Sequence, residues 1–247
     1  MAIDIVYEDN HILVCLKPVF MPSQADRSGK PDLCSTLASF IKIRDEKPGN
    51  VFMGLVHRLD QPVSGLMVFA KTSKAAKRLA DQFRLDQVDK YYLAITHGAV
   101  DNTPDRWRDF LSTKTKNGRY FVTEESRGKE AVMYIDRMAY EKDADLSLVQ
   151  IKLMTGRSHQ IRVQCQSRGY PLLGDRRYGN ELTADLNTPS IALYASALAF
   201  THPVKKTPLL FVDIPDIPAF QGFSKALTDD ALSCSRAALA AYQEMNP

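Results

Sequence analysis

Short apolar runs divided by turn residues recur along this chain, and that pattern commits it to a β-rich fold. Leu146–Met154 shows it best: Leu146, Leu148, Ile151 and Leu153 alternate with polar residues, with one slip in phase, the two-residue period of a strand with one face buried. Residues 3–7 and 11–16 flank Glu8-Asp9-Asn10 as an expected hairpin. Further strands are expected at Val51–Val56, Gly65–Lys71, Lys90–Thr96, Ala131–Tyr140, Ile191–Phe200 and Leu209–Ile214.

Helical spacing is rarer. Asp32 is placed to cap a helix carrying Leu33, Leu37 and Phe40 or Ile41 on one face, and Ser73 to cap another reaching about residue 86. A short helix is expected from Ser158 to about Arg168, after the break at Thr155-Gly156, and a last one over about 219–243. No regular strand–helix–strand rhythm appears. The expectation is therefore α+β, with a mixed, mainly antiparallel β-sheet flanked by helices and loops, not a doubly wound sheet. With no repeat and no linker, residues 1–247 are expected to form a single domain.

Composition excludes classes without naming one. At 45% hydrophobic and 25% charged, the chain matches the average globular protein and argues against disorder or a disulfide scaffold. No basic leader with an apolar stretch begins it, and no run of about 18 apolar residues offers a membrane span. Cys15, Cys34, Cys165 and Cys234 are scattered without a CxxC pair, which speaks against a zinc site and for reduced thiols in a cytoplasmic protein.

A net charge of +3 is too small to indicate nucleic acid, but its distribution is uneven. Residues 106–119 hold five basic groups against Asp109, and residues 152–178 hold six against Asp175. Such segregation suits phosphate contacts, although a solvated basic face accounts for it equally well.

Three segments carry chemistry. His57-Arg58-Leu59-Asp60-Gln61-Pro62-Val63-Ser64-Gly65 sets a charged triplet between two apolar runs. If the first strand continues past Val56, Arg58 and Asp60 point to one side. Thr155-Gly156-Arg157-Ser158-His159-Gln160-Ile161-Arg162 follows a strand and opens a helix, where backbone N–H groups and the dipole favour an anion. A start capped by Thr155 or Ser158, with solvated arginines, is the plainer reading. Gly169-Tyr170-Pro171 through Gly174-Asp175-Arg176-Arg177-Tyr178-Gly179 is rich in turns, and Gly174 and Asp175 read as structural. There is no P-loop, GxGxxG, HExxH or GxSxG.

With Lys90-Tyr91-Tyr92-Leu93-Ala94, these segments follow the order HRLDxxTSG, KxYxA, GRxHQIRxH and GxPIxGDxxYG. The set resembles the RluA family of RNA pseudouridine synthases over about residues 3–215. The resemblance implies the pseudouridine synthase fold as one catalytic domain, and an isomerase that converts uridine in tRNA or rRNA to pseudouridine. It makes Asp60 the catalytic carboxylate, Tyr92 the residue that stacks on the target base, and Arg162 the cation paired with the carboxylate. Arg58, with His57, Arg157, His159 and Gln160, is implied on the RNA-binding side. Val63 departs from the family's Thr, and Gln164 from its second His.

The reaction moves a glycosidic bond from N1 to C5 without redox change or hydrolysis, so no metal or organic cofactor is expected. The expected partner is an RNA stem-loop, because extruding a base is least costly there. A monomer without an obligate protein partner or membrane contact is expected. Relatives often carry an N-terminal S4-type domain, and here the expected hairpin begins at residue 3. A catalytically inactive RNA-binding protein on the same fold is the alternative, and a glycosidase using paired carboxylates is less well matched, since only Asp60 has a persuasive setting.

Overall fold

The computed structural model describes residues 3–26, 29–179, 188–223 and 226–227. In chain order the elements are β1 (Ile5–Glu8), β2 (Ile12–Lys17), α1 (Leu33–Arg44), β3 (Gly54–Leu55), β4 (Ser64–Ala70), α2 (Ser73–Arg84), β5 (Asp89–His97), β6 (Asp105–Ser112), β7 (Val122–Thr123), β8 (Gly128–Glu141), β9 (Leu146–Leu153), α3 (Gln160–Ser167), β10 (Leu193–Thr201) and β11 (Pro208–Val212). Short 3-10 turns occupy Glu125–Arg127 and Pro218–Phe223. The expected helix over 219–243 thus begins as a 3-10 turn, and residues 228–247 lie outside the described residues.

Two compact units divide the described residues, those up to 88 with 197–213, and those of 89–196 with the ones that follow 213. In the first, the strands run β1-β2-β4-β10, with β3 beside β4 and β11 beside β10. β2 pairs antiparallel with β4 from Ile12↔Ala70 to Lys17↔Gly65. All seven residues of β4 are buried, as befits an inner strand whose sequence is apolar rather than alternating. Ala75 and Leu79 of α2 pack with Ile12, Val14, Leu66, Val68 and Phe200.

Asp32 does cap α1, its Oδ1 accepting the Ser35 N–H at 3.0 Å. For α2 the cap is Thr72, not Ser73: the chain is still extended at Thr72, and its Oγ1 accepts the Ala75 N–H. Val51–Val56 shrinks to Gly54–Leu55. Gly54 explains part of this, since any Cβ there would meet Ala76 Cβ at 2.9 Å, so this strand passes close against α2.

In the second unit the strands run β5-β9-β8-β6-β7, with antiparallel registers such as Tyr92↔Ile151 and Ile135↔Ile151. β6 is a strand that sequence reading treated only as a basic cluster. Trp107 and Leu111 are buried while Arg106 and Arg108 are exposed, a partial alternation hidden by the charged residues on its outer face. α3 sits on the inner face, where Val163 joins Leu111, Ala131 and Tyr178.

Glu8 ties α1 to the hairpin through Arg44 and Lys71. Arg44's hydrogen bond, with help from Lys71, outweighs partial burial and holds the Glu8 carboxyl at about 2 instead of 4.5. The unfolded chain therefore binds more protons between those values, so this contribution is complete above about pH 4.5 and is lost as pH falls toward 2. Glu8→Gln is expected to remove on the order of 1–2 kcal/mol at neutral pH. Urea midpoints measured from pH 7 to pH 3 should show a shallower acid decline in the variant than in the parent.

Candidate active site

The HRLD segment lies beyond the end of a strand. β3 stops at Leu55, so the alternation that would align Arg58 with Asp60 does not apply, and other contacts fix the segment. The Ser23 hydroxyl accepts the Leu59 N–H at 3.2 Å and donates to the Leu59 carbonyl at 2.9 Å. Leu59 itself is buried. Asp60 opens a tight turn in which its carbonyl accepts the Val63 N–H at 3.0 Å. The side chain of Asp60 is half-buried, and that of Arg58 is exposed.

Lys17, at the end of β2, does most to hold this turn, and sequence reading passed over it. Its side chain is 1% exposed. Its Nζ donates to the carbonyls of Pro18 at 2.8 Å, Met21 at 2.7 Å and Gln61 at 3.1 Å. Three acceptors match the three donors of an ammonium. Burial pushes the Lys17 pKa down to about 7, and the negative charge of Asp60 opposes that push. The signal in the sequence was a lysine ending an otherwise apolar strand, which alone does not distinguish a buried lysine from a surface one.

His57 serves the fold. Its Nε2 accepts the Val68 N–H at 3.0 Å and its ring stacks on Phe83 at 4.5 Å. A ring accepting at Nε2 carries its proton, when neutral, on Nδ1. Val63, which departs from the family's Thr, is buried at 3% exposure, so the departure falls in the interior.

In the second unit, Tyr92 lies on β5, half-buried, on the same face as buried Lys90 and Ala94. Arg162 is not solvated. It is 5% exposed, and its Nε and Nη2 grip the two oxygens of Asp175, each at 2.7 Å. Its guanidinium also lies 4.9 Å from the Tyr178 ring. Burial would raise the Asp175 pKa, but the Arg162 fork and the N–H groups of Arg177 and Tyr178 outweigh it and hold that carboxyl below its ordinary range. Asp175 is thus the structural anchor of this arginine, as its turn-rich setting indicated.

The α3 start differs from both expected caps. His159 occupies the N-cap position in the left-handed conformation, φ 55°, with no side-chain cap. Its Nδ1 lies 2.7 Å from the Tyr178 hydroxyl, which accepts the Tyr120 N–H at 2.9 Å. Gln160, expected to face RNA, is buried: its Oε1 accepts from Thr155 Oγ1 and the Arg157 N–H, and its Nε2 donates to Val132 O. It holds the strand–helix turn, leaving Arg157 exposed beside it. Gln164 is fully buried and donates to Asp109 Oδ2 at 2.7 Å, so its departure from the family's His also falls in the interior.

The basic window at 152–178 is neutralised in part: half of its six cations meet carboxylates, two of them from outside the window, while Arg157, Arg176 and Arg177 are exposed. Lys152 pairs with Asp89, Arg162 with Asp175 and Arg168 with Asp109. In the other window Arg108 pairs with Glu130, while Lys114, Lys116 and Arg119 are exposed on a hairpin turn. Among the described residues, no group of three His, Cys, Asp or Glu side chains is placed to hold a metal. Nor is any helix there long and apolar enough to cross a membrane, which says nothing of β-barrels.

A family model described as RNA pseudouridylate synthase matches residues 11–167, the stretch that carries Lys17, the Asp60 turn, Tyr92 and Arg162. The chain belongs to that family. It is 35% identical over 206 residues to an uncharacterized RNA pseudouridine synthase of Bacillus subtilis (strain 168), covering 82% of this chain and 66% of that protein. It is 32% identical over 225 residues to ribosomal large subunit pseudouridine synthase C of Buchnera aphidicola subsp. Acyrthosiphon pisum (strain APS), covering 89% and 69%. It thus spans about two thirds of the length of these relatives. Human RNA pseudouridylate synthase domain containing 1 has the same fold, with TM-score 0.72 and 22% identity over 96% of this chain and 95% of that one. The fold is therefore the pseudouridine synthase fold, α+β with a mainly antiparallel sheet.

Breaking the buried pair from one side removes the bidentate grip that Asp175 gives Arg162. Asp175→Asn is expected to destabilise the protein by about 3–5 kcal/mol, and Arg162→Met added to it should recover much of that loss. Urea unfolding of the parent, both single variants and the double variant measures the coupling.

Proposed function

We propose that this protein is an RNA pseudouridine synthase acting on uridines of large-subunit ribosomal RNA, with Asp60 as its catalytic carboxylate. The observation that carries the reading is the Asp60 turn: an HRLD segment inside the family match, its backbone held by Ser23 on one side and Lys17 on the other. A catalytic group needs such fixing, because misplacement by about 1 Å costs on the order of a hundredfold in rate. Ribosomal RNA is favoured over tRNA by the name of the large-subunit relative.

The isomerisation balances without an outside reagent. The C1′–N1 bond breaks, the uracil turns, and C1′–C5 forms. The proton on C5 leaves, and N1 gains one. Asp60 acts at the ribose. In the family's pattern Tyr92 offers a ring for the extruded base and a hydroxyl near the C5 proton, and Arg162 is the supporting cation. Arg58 and Arg157, both exposed, take the RNA backbone. His57, His159 and Gln160 act behind them by shaping the two motif segments. We place the enzyme in the cytoplasm as a monomeric, single catalytic domain, in keeping with its scattered cysteines, of which Cys15, Cys34 and Cys165 are free thiols.

RNA labelled with 5-tritiated uridine tests this directly. The parent should release tritium from large-subunit RNA of a strain lacking the gene, and Asp60→Asn should lose at least a thousandfold in rate while keeping its fold. Release from tRNA alone would reassign the substrate. RNA binding without any release would make the protein an inactive binder, and free uracil would make it a glycosidase.

A further inference from the structure

Phe20 combines two unfavourable features beside the Asp60 turn. Its backbone is left-handed, φ 63°, a region rarely occupied by bulky residues. Its ring is 52% exposed, although the neighbours Val19 and Met21 are half-buried. A glycine or asparagine would fit such a turn without strain, and a polar side chain would sit in water at no loss. Conformations of this kind persist only where the surroundings over-determine them.

The surroundings here do so, and they are the same groups that fix Asp60. The Phe20 carbonyl accepts Gln61 Nε2 at 3.1 Å. The carbonyls of Pro18 and Met21, on either side, are two of the three acceptors of Lys17 Nζ, and the third belongs to Gln61. Residues 18–21 and 60–61 are therefore one hydrogen-bonded block, with an exposed aromatic ring on one strand of it and the carboxylate on the other.

We infer that Phe20 is a base-stacking residue, a platform for a nucleobase of the RNA near the uridine presented to Asp60. This deepens and rests on the RNA-modifying reading above. An aromatic ring suits any base face, so it supplies affinity and orientation without reading sequence. It complements the exposed arginines, which meet phosphates. Extruding a uridine leaves its neighbours unstacked, and a ring carried on the Asp60 block can cover one of them.

The test uses the full chain and a large-subunit RNA transcript carrying 5-tritiated uridine. Phe20→Ala and Phe20→Gly should raise KM for RNA roughly tenfold, within the range of one lost base stack, with a much smaller effect on kcat. Phe20→Trp should restore KM. Phe20→Gly, freed of backbone strain, should unfold at a higher temperature than the parent, which separates loss of the ring from loss of the fold. Filter binding in an Asp60→Asn background reads the same contact without turnover. The salt dependence of binding should keep its slope, because a stack releases no counterions.

Glycine and alanine variants that bind within twofold of their parent overturn the inference. So does a salt slope that falls by about one, which would mark a phosphate contact. If the parent releases no tritium yet the Phe20 variants still lose binding, the isomerase reading fails and the stacking surface stands.

Discussion

A buried ammonium organises the first unit around Asp60. Lys17 leaves water at the end of β2, and the desolvation this entails is large enough to bring its pKa down to about 7. Three backbone carbonyls offset that loss. Each lies in a segment that has no regular secondary structure to satisfy it, so the ammonium replaces the ladder that a strand would provide. The consequence is directional. Loops that would otherwise be among the more mobile parts of the molecule are tied to β2, which pairs along its whole length with β4. A carboxylate mounted there inherits the rigidity of the sheet.

The second unit also buries a cation, but a carboxylate meets it where carbonyls meet Lys17. In the interior Asp175 meets Arg162 with a bidentate grip, and two backbone N–H groups bind the same carboxylate. The Tyr178 ring lies against the same guanidinium, and its hydroxyl reaches His159 and the Tyr120 N–H. One side chain thus joins the arginine, the left-handed start of α3 and the base of the basic hairpin.

Strong periodicity made much of the fold legible. β9 and α1 emerge from apolar residues repeating at the period of their own geometry, and β4, β5 and β10 from runs of apolar residues. β6 stayed hidden because Trp107 sits between two arginines, and charge masked the alternation. Val51–Val56 read as a longer strand than it is, since composition carries no sign of the close approach at Gly54. The charge windows misled for a similar reason. Asp89, Asp109 and Glu130 lie far along the chain from the cations they meet, so a local count overstated a positive potential that pairing removes in part. The exposed Lys114, Lys116 and Arg119 survive that correction.

Sequence alone determined the class of elements, the order of the motif segments and which carboxylate stands out, because these depend on residue type and spacing along the chain. Tertiary structure decided which polar groups face water. Gln160, Gln164 and Arg162 turn inward, Lys17 is buried and Phe20 is held out on a strained backbone. None of this follows from local preference. Burial of a polar group is permitted only where distant residues supply its partners, and exposure of an aromatic ring is tolerated only where distant residues fix the backbone beneath it.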